Sequence, residues 1–234
     1  MDTPYRLHYA PDNASLIVRL ALEETGVPYT TVLVDRRAQA QRAPAYRALN
    51  PNGLIPVLET PQGPLFETAA ILLWLTETHA ALAPQPGTDA RGAFLKWLFF
   101  ISNTLHAELR MLFYPQKYVG PDAAAQTALS ISLRHSLMRH LSTLEHLAAS
   151  QPGYFASQII TVLDLYIAVC LRWMALYPVA TVGWLTLERL PQLHALTRRI
   201  EQRASSRAAI IAEGLGTTPF SAPSYPNPPE GSAI

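Results

Sequence analysis

The chain has 234 residues, 49% of them hydrophobic and 15% charged, enough apolar content for a sizeable core and less charge than the usual quarter or so. Lys and Arg number 18 against 17 Asp and Glu, and a net charge of +1 excludes a nucleic-acid or anionic-membrane partner recruited by bulk charge. No apolar run approaches the roughly 20 residues that span a bilayer, and the single cysteine, Cys170, excludes an intrachain disulfide.

Met1-Asp2-Thr3-Pro4-Tyr5 lacks a basic segment followed by an apolar one, which predicts no secretory signal and a cytoplasmic protein. Arg6 to Tyr9 reads as a short strand ending before Pro11. Ala14 to Glu24 has a helical apolar pattern that stops at Gly26. Tyr29 to Val34, rich in Thr, Val and Tyr, predicts a second strand. Ala43 to Leu49 suits a short helix with Pro44 in its first turn. Val57-Leu58-Glu59 and Leu65-Phe66 are two short strands about the turn Gln62-Gly63-Pro64, and Glu67 to His79 is a helix with Ile71, Leu72 and Leu75 on its apolar face. The first part is therefore a βαβ unit followed by a hairpin and a closing helix.

Pro84-Gln85-Pro86-Gly87 marks a linker, and the character changes beyond it. Long apolar patterns over 90–113, 123–149 and 163–177, then one or two shorter helices over 190–212 with Pro191 starting one, predict an all-helical unit. The boundaries are 1–83 for the α/β domain, 84–90 for the linker and 91–216 for the helical domain. Residues 217–234 carry Pro219, Pro223, Pro226, Pro228 and Pro229, with too little apolar content to fold alone, which predicts an extended or disordered arm.

The most informative stretch is Asn50-Pro51-Asn52-Gly53-Leu54-Ile55-Pro56-Val57-Leu58. Pro56 cannot donate to a strand ladder, and a cis Ile55–Pro56 bond would make a sharp bend there. That bend leaves the backbone of Ile55 to pair with an extended ligand. Eleven residues on, Glu67 and Thr68 place an acceptor and a hydroxyl beside a helix N-terminus, whose unpaired N–H groups attract a carboxylate. Together these features predict a dock for a small peptide with a free carboxylate and an ammonium group.

A βαβ–ββα domain with a proline before its third strand, then a helical domain, resembles the cytosolic glutathione transferases, and within them the bacterial beta class. The motifs that carry the resemblance are Tyr9-x-Pro11-x-x-x-Ser15-Leu16, Trp97-Leu98, Leu105-His106, Leu112-Phe113-x-Pro115, Leu171-Arg172-Trp173 and the box Thr161-Val162-Leu163-Asp164. The resemblance implies a thioredoxin-like first domain with a mixed four-stranded sheet, an all-α second domain, glutathione as substrate and a homodimer. Beta-class members typically carry a cysteine immediately before the serine of the first motif, where this chain has Ala14. Cys170 lies in an apolar helix and is inert as a nucleophile, so thiol–disulfide exchange through a protein cysteine is disfavoured. Phe99 and Thr104 stand where polar or acidic residues would help bind glutathione across the dimer.

Ser15 and His106 are the candidate catalytic residues. Ser15, at the start of the first helix, either caps it or gives its hydroxyl to a thiolate. His106 shares a polar and aromatic stripe with Phe99, Asn103, Arg110 and Phe113, suited to a cleft wall. The glutathione-binding candidates are Tyr9, Asn13, Gln39, Ile55, Pro56, Glu67 and Thr68. The family places Glu67 and Thr68 on the γ-glutamyl end; Gln39, with Arg36 and Arg37 as alternatives, would serve the glycyl end. Leu112, Tyr114, Tyr118 and Trp173 are the expected second-substrate pocket. The seven histidines make no metal set: His135 and His140 are five apart and do not share a helix face as i, i+4 ligands would. No CxxC, P-loop or GxGxxG is present. The function expected is conjugation of glutathione to a small apolar electrophile. The alternatives are a non-catalytic binding or scaffold protein of the same fold, or a glutathione-dependent peroxide or disulfide reductase that works without its own cysteine.

Overall fold

The structure, a computed structural model, describes residues 5–151, 153–179 and 183–233. Met1 to Pro4, on which the absence of a secretory signal was read, and Ile234 of the Pro-rich arm lie outside the described residues. Four strands, β1 (Tyr5–Tyr9), β2 (Tyr29–Leu33), β3 (Val57–Thr60) and β4 (Gly63–Phe66), form one sheet in the order β2-β1-β3-β4. β1 runs parallel to β2 and antiparallel to β3, and β3 pairs antiparallel with β4. The crossover between β1 and β2 is helix α1 (Ser15–Thr25), which ends at Gly26 in the left-handed conformation that glycine adopts without steric cost. Next come the short α2 (Pro44–Arg47), with Pro44 in its first turn as the sequence implies, and α3 (Thr68–Thr78). This is the thioredoxin-like arrangement.

The α1 sequence is apolar on more than one face, with Leu16, Ile17, Val18, Leu20, Ala21 and Leu22 all buried. The reason is tertiary. One side of α1 meets the sheet and α3, and the other meets two helices of the second domain, α8 (Val162–Leu176) and α10 (Ala204–Glu213).

The helical domain begins with α4 (Asp89–Phe100) and α5 (Ala107–Phe113). The sequence pattern reads as one helix across them, but a π-helical turn, Ile101–His106, joins the two and widens the spiral there. Then follow α6 (Gln116–Val119), α7 (Ala123–Ser150), α8, α9 (Pro191–Glu201) and α10. At the start of α8 the capping box forms as its spacing predicts: Thr161 Oγ1 accepts from the Leu163 N–H at 3.2 Å, and Asp164 accepts from the Thr161 N–H at 2.7 Å. Nearly every side chain of α8 is buried, which makes it the central helix.

Residues 217–233 hold neither helix nor strand, but they are not a free arm. Phe220 is fully buried, and its N–H and that of Ser221 bond the Glu201 carboxylate. The Asn227 N–H donates to Gly214 C=O, and the Tyr225 hydroxyl to Leu176 C=O. The segment cannot bury a core of its own; side chains of α8 and α9 supply the partners its backbone needs.

Candidate active site

The sheet register brings four separate loops to one end of the sheet. His8 pairs with Val57, and Val57 with Phe66, so the end of β1, the approach to β3 and the exit of β4 lie side by side. Tyr9 pairs with Leu33, which adds the exit of β2. The loop 10–14 before α1, the loop 34–39 after β2, Ile55-Pro56 before β3 and Glu67-Thr68 after β4 therefore share one edge. Open sheets of this kind bind ligands outside such strand ends.

Each loop has a local reason for its shape. The Ile55–Pro56 bond is cis. The carbonyl of Leu54 accepts from the Tyr46 hydroxyl and the Asn50 amide, both at 2.8 Å, which holds the turn. Ile55 itself makes no backbone hydrogen bond among the described residues. Glu67 caps α3 at φ +70° and ψ 113°, a conformation that costs a non-glycine residue about 1–3 kcal/mol and clusters at binding sites. Its side chain is exposed, and Thr68 behind it is buried. Gln39 also has positive φ, +53°, and its exposed amide oxygen accepts from Arg42 at 3.2 Å.

The loop before α1 is the most constrained of the four. Asp12 has φ +49°, and its carboxylate is closed from solvent. It accepts from Arg172 Nε at 2.8 Å and Nη2 at 3.0 Å, from Trp173 Nε1 at 3.0 Å and from the Tyr177 hydroxyl at 2.9 Å. The Asp12 N–H donates to Glu213 at 2.8 Å, and Glu213 also receives Arg19 Nε at 2.8 Å. Burial raises the Glu213 carboxyl to about 7, with Arg19 opposing the rise. Two side chains of α8, Tyr177 just beyond its end and one side chain of α10 thus fix the backbone at the mouth of α1.

Asn13 and Ser15 face different tasks. Asn13 Oδ1 accepts from the Ala14 N–H at 2.8 Å, which assigns the amide orientation and leaves Nδ2 without a protein partner among the described residues. Ser15 is 0% exposed; its hydroxyl accepts from Ala10 N–H at 3.2 Å and donates to Ala10 C=O at 3.1 Å. Ser15 therefore ties the loop 10–15 together, and its one hydroxyl proton is used within the protein.

His106 is half-buried at the end of the π-helical turn, with Nδ1 2.8 Å from the Tyr166 hydroxyl and its ring against Trp173, centroids 5.3 Å apart. Burial and the nearby Arg110 pull its pKa down to about 4, so the ring is neutral at physiological pH. Tyr166, on α8, is raised well above its usual range by burial, with Cys170 and the Glu67 carboxylate adding to it. His106 thus pairs with a buried tyrosine that the sequence motifs did not single out.

Residues 14–78 match the family model described as glutathione S-transferase, N-terminal domain. Glutathione S-transferase GstA of Escherichia coli O157:H7 is 30% identical over 90% of this chain and 99% of its own length. The chain belongs to the glutathione S-transferase family. Glutathione S-transferase GST-4.5 of Xanthomonas campestris pv. campestris is 28% identical, again over 90% of this transferase and 99% of its own length. Among solved structures, a sphingomonad glutathione S-transferase complexed with glutathione is 30% identical, with a TM-score of 0.73 over 90% of this chain and all of that one (100%). The bacterial beta-class enzyme of Sphingomonas chungbukensis is 31% identical, with a TM-score of 0.72 over 89% of this chain and 98% of that one.

The transferase brings Tyr9, Asn13, Ile55, Pro56, Glu67, Thr68 and Gln39 to the edge where its four loops meet. It does not gather the expected second-substrate residues into one wall. Leu112 is fully buried in the helical core, because it falls on the inner Leu105-Leu109-Leu112 stripe. Trp173 is buried and spends its N–H on Asp12. Tyr114 is half-buried and bonded to Arg36 Nη2 at 2.8 Å, and Tyr118 is exposed on α6. Cys170 is buried, and burial pushes its thiol far above the usual range. The residues missed from sequence are Asp12 and Tyr166. Among the described residues, no helix is long and apolar enough to cross a membrane.

Proposed function

We propose that this transferase binds glutathione across the four-loop edge, holds its sulfur as the thiolate at the start of α1, and presents it to a small apolar electrophile. The observation that carries this reading is Glu67, held exposed in a disfavoured backbone conformation at the head of α3, on the same edge as the open backbone of Ile55. The sphingomonad relative described as complexed with glutathione supports the choice of ligand. In this assignment Glu67 and Thr68 take the γ-glutamyl end, Ile55 and Pro56 pair with the middle of the peptide, and Gln39 serves the glycyl end. Asn13 Nδ2 and the Ser15 N–H at the positive end of α1 face the sulfur, the Ala14, Leu16 and Ile17 N–H groups being already bonded within the protein. They supply the fixed partial positive charge that favours the thiolate at no reorganisation cost. Tyr9 borders the same place. Ser15 and His106 act on geometry: Ser15 sets the loop, and the neutral His106 orients Tyr166. The thiolate attacks the electrophilic carbon, the carbon–sulfur bond forms, the leaving group departs with the electron pair, and the thiol proton goes to solvent. Tyr114 and Tyr118 border the electrophile's side.

Glu67→Ala is expected to weaken glutathione binding by about 1–3 kcal/mol, the scale of a lost charge-assisted hydrogen bond. Titration calorimetry giving equal affinities for variant and wild type would overturn the assignment of this end of the site.

The same reading includes a homodimer. Phe99 of α4 is 47% exposed and Ile131 of α7 is 52% exposed, large apolar side chains that a partner copy would cover. Sedimentation at micromolar concentration is expected to give a species of twice the chain mass; a monomer there would remove the interface and any residue shared across it.

A further inference from the structure

The Pro-rich segment does more than pack against the helical domain. Arg172 anchors it, donating to Pro219 C=O at 2.9 Å and Ser224 C=O at 3.1 Å with the guanidinium that also holds Asp12. Tyr225 then lies against Tyr177, and the segment crosses to the first domain. There the Tyr9 hydroxyl donates to the Glu230 carboxylate, and Arg36 donates to the Ala233 carbonyl. Between these two latches the chain is seated flush. A Cβ added at Gly231 would stand 2.7 Å from Leu33 Cδ1 and 3.4 Å from Pro11 Cδ, at a backbone φ of +71°. Ser232 beside it is 6% exposed. Arg36 also holds the Tyr114 hydroxyl, so the end of the segment, the exit of β2 and the end of α5 meet at one point.

The sheet order says which side of the site is covered. The strap touches the exits of β1 and β2 at Tyr9, Pro11, Leu33 and Arg36, and Arg36 holds Tyr114, which borders the electrophile's side, whereas Ile55 and Glu67 flank β3 and β4 on the other half of the sheet. We propose that residues 230–233 are a strap that covers the electrophile's side of the site and must be displaced for a bulky apolar substrate to enter, with Glu230 and Gly231 as the residues that set how readily it opens. This rests on the glutathione-transferase reading only for the name of the incoming substrate; the covered surface itself is independent of it. Burial and the bond to Glu230 push the Tyr9 phenol far above its usual range, so it stays protonated and remains a donor.

The test compares the 234-residue chain with a version ending at Pro229, and with the full-length double variant Glu230→Lys/Gly231→Val. The lysine loses the bond from Tyr9 and stands near Arg19, whose guanidinium lies over the Tyr9 ring, and the valine has no room beside Leu33, so the strap lifts without shortening the chain. Each is titrated with the uncharged dye Nile red by fluorescence, and with glutathione by calorimetry. The expected result is at least tenfold tighter dye binding in both variants, reversed by S-hexylglutathione, with glutathione affinity unchanged within twofold. A bulky aryl halide should show a KM lowered by a similar factor at constant kcat. Dye affinity within twofold of wild type in both variants overturns the strap. Tighter dye binding with an equal gain in glutathione affinity also overturns it, because the covered surface is then the glutathione side. A chain that binds the dye as expected but never binds glutathione keeps the strap and removes the substrate assignment.

Discussion

Asp12→Ala is expected to lower the unfolding free energy by about 3–5 kcal/mol, the range for removing one partner of a buried ion pair. The Arg172 side chain is 0% exposed, so losing the carboxylate leaves a buried charge without its ion-pair partner. Two further donors, Trp173 Nε1 and the Tyr177 hydroxyl, lose the same acceptor. Alanine at φ +49° adds a backbone cost of about 1 kcal/mol that glycine would not. Asp12→Gly therefore separates the two effects: it should keep the electrostatic loss and recover the backbone part. Urea denaturation with an unchanged m-value measures both. Pairing Asp12→Ala with Arg172→Met should recover part of the loss, because an apolar replacement of both partners leaves no buried charge. The recovery is incomplete because the carbonyls of Pro219 and Ser224 lose their donor. A single variant within 1 kcal/mol of wild type would mean that water enters and solvates Arg172.

This clamp also explains why the site is built from both domains although its ligand-facing loops come from one. The loop before α1 has a left-handed residue that it cannot hold unaided, and α8 supplies the holding groups. Any change to α8 that moves Arg172 moves Asp12, then the start of α1, and at the same time the anchor of the strap. Site and strap share one guanidinium.

The parts of this molecule that were legible in its sequence are those decided locally. Period-two and period-3.6 apolar patterns, Gly26 after α1, Pro44 in the first turn of α2, and the Thr161–Asp164 box each depend on a few neighbouring residues. At the site edge, the approach to β3 is announced by its own Asn, Pro and Gly residues over 50–56. The clamp was not legible, since Asp12 and Arg172 lie 160 residues apart and neither has a local partner. One signal was available: an arginine inside the apolar run Leu163 to Tyr177 has to find a carboxylate when its helix is central. The seating of the Pro-rich segment was hidden for the opposite reason, because its composition describes only what it can do alone. The π-helical turn at Ile101–His106 leaves no mark in residue type, and it unites α4 and α5 in any pattern of apolar residues. Ser15 at a helix start can be a cap or a donor to a ligand, and its role depends on where Ala10 lies, which the sequence does not state.

Asn13→Asp is expected to lower turnover toward an aryl halide at pH 7 by about 10²–10³, the range for losing one positioned donor to a charged centre. The substitution keeps Oδ1 on the Ala14 N–H and exchanges only the Nδ2 donor for an oxygen. A carboxylate near a helix N-terminus favours folding by about 0.3–1 kcal/mol, so stability should not fall. The bound thiol, however, loses a hydrogen bond and gains a like charge, and its apparent pKa should rise by one unit or more, at about 1.4 kcal/mol per unit. The sign follows: below the new pKa less thiolate is present, so the pH–rate profile moves to higher pH and part of the activity returns there. Ser15→Ala should behave differently. It strands the Ala10 N–H inside the protein at a cost of about 1–3 kcal/mol in stability. Its turnover should drop roughly tenfold through a loosened loop, while the thiol pKa stays within about half a unit. Stopped-flow titration of the thiolate absorbance in the glutathione complex, read alongside urea melts, distinguishes them. If Asn13→Asp leaves the titration where it was and Ser15→Ala shifts it upward, the hydroxyl must leave Ala10 when glutathione binds, and Ser15 is the group that holds the sulfur.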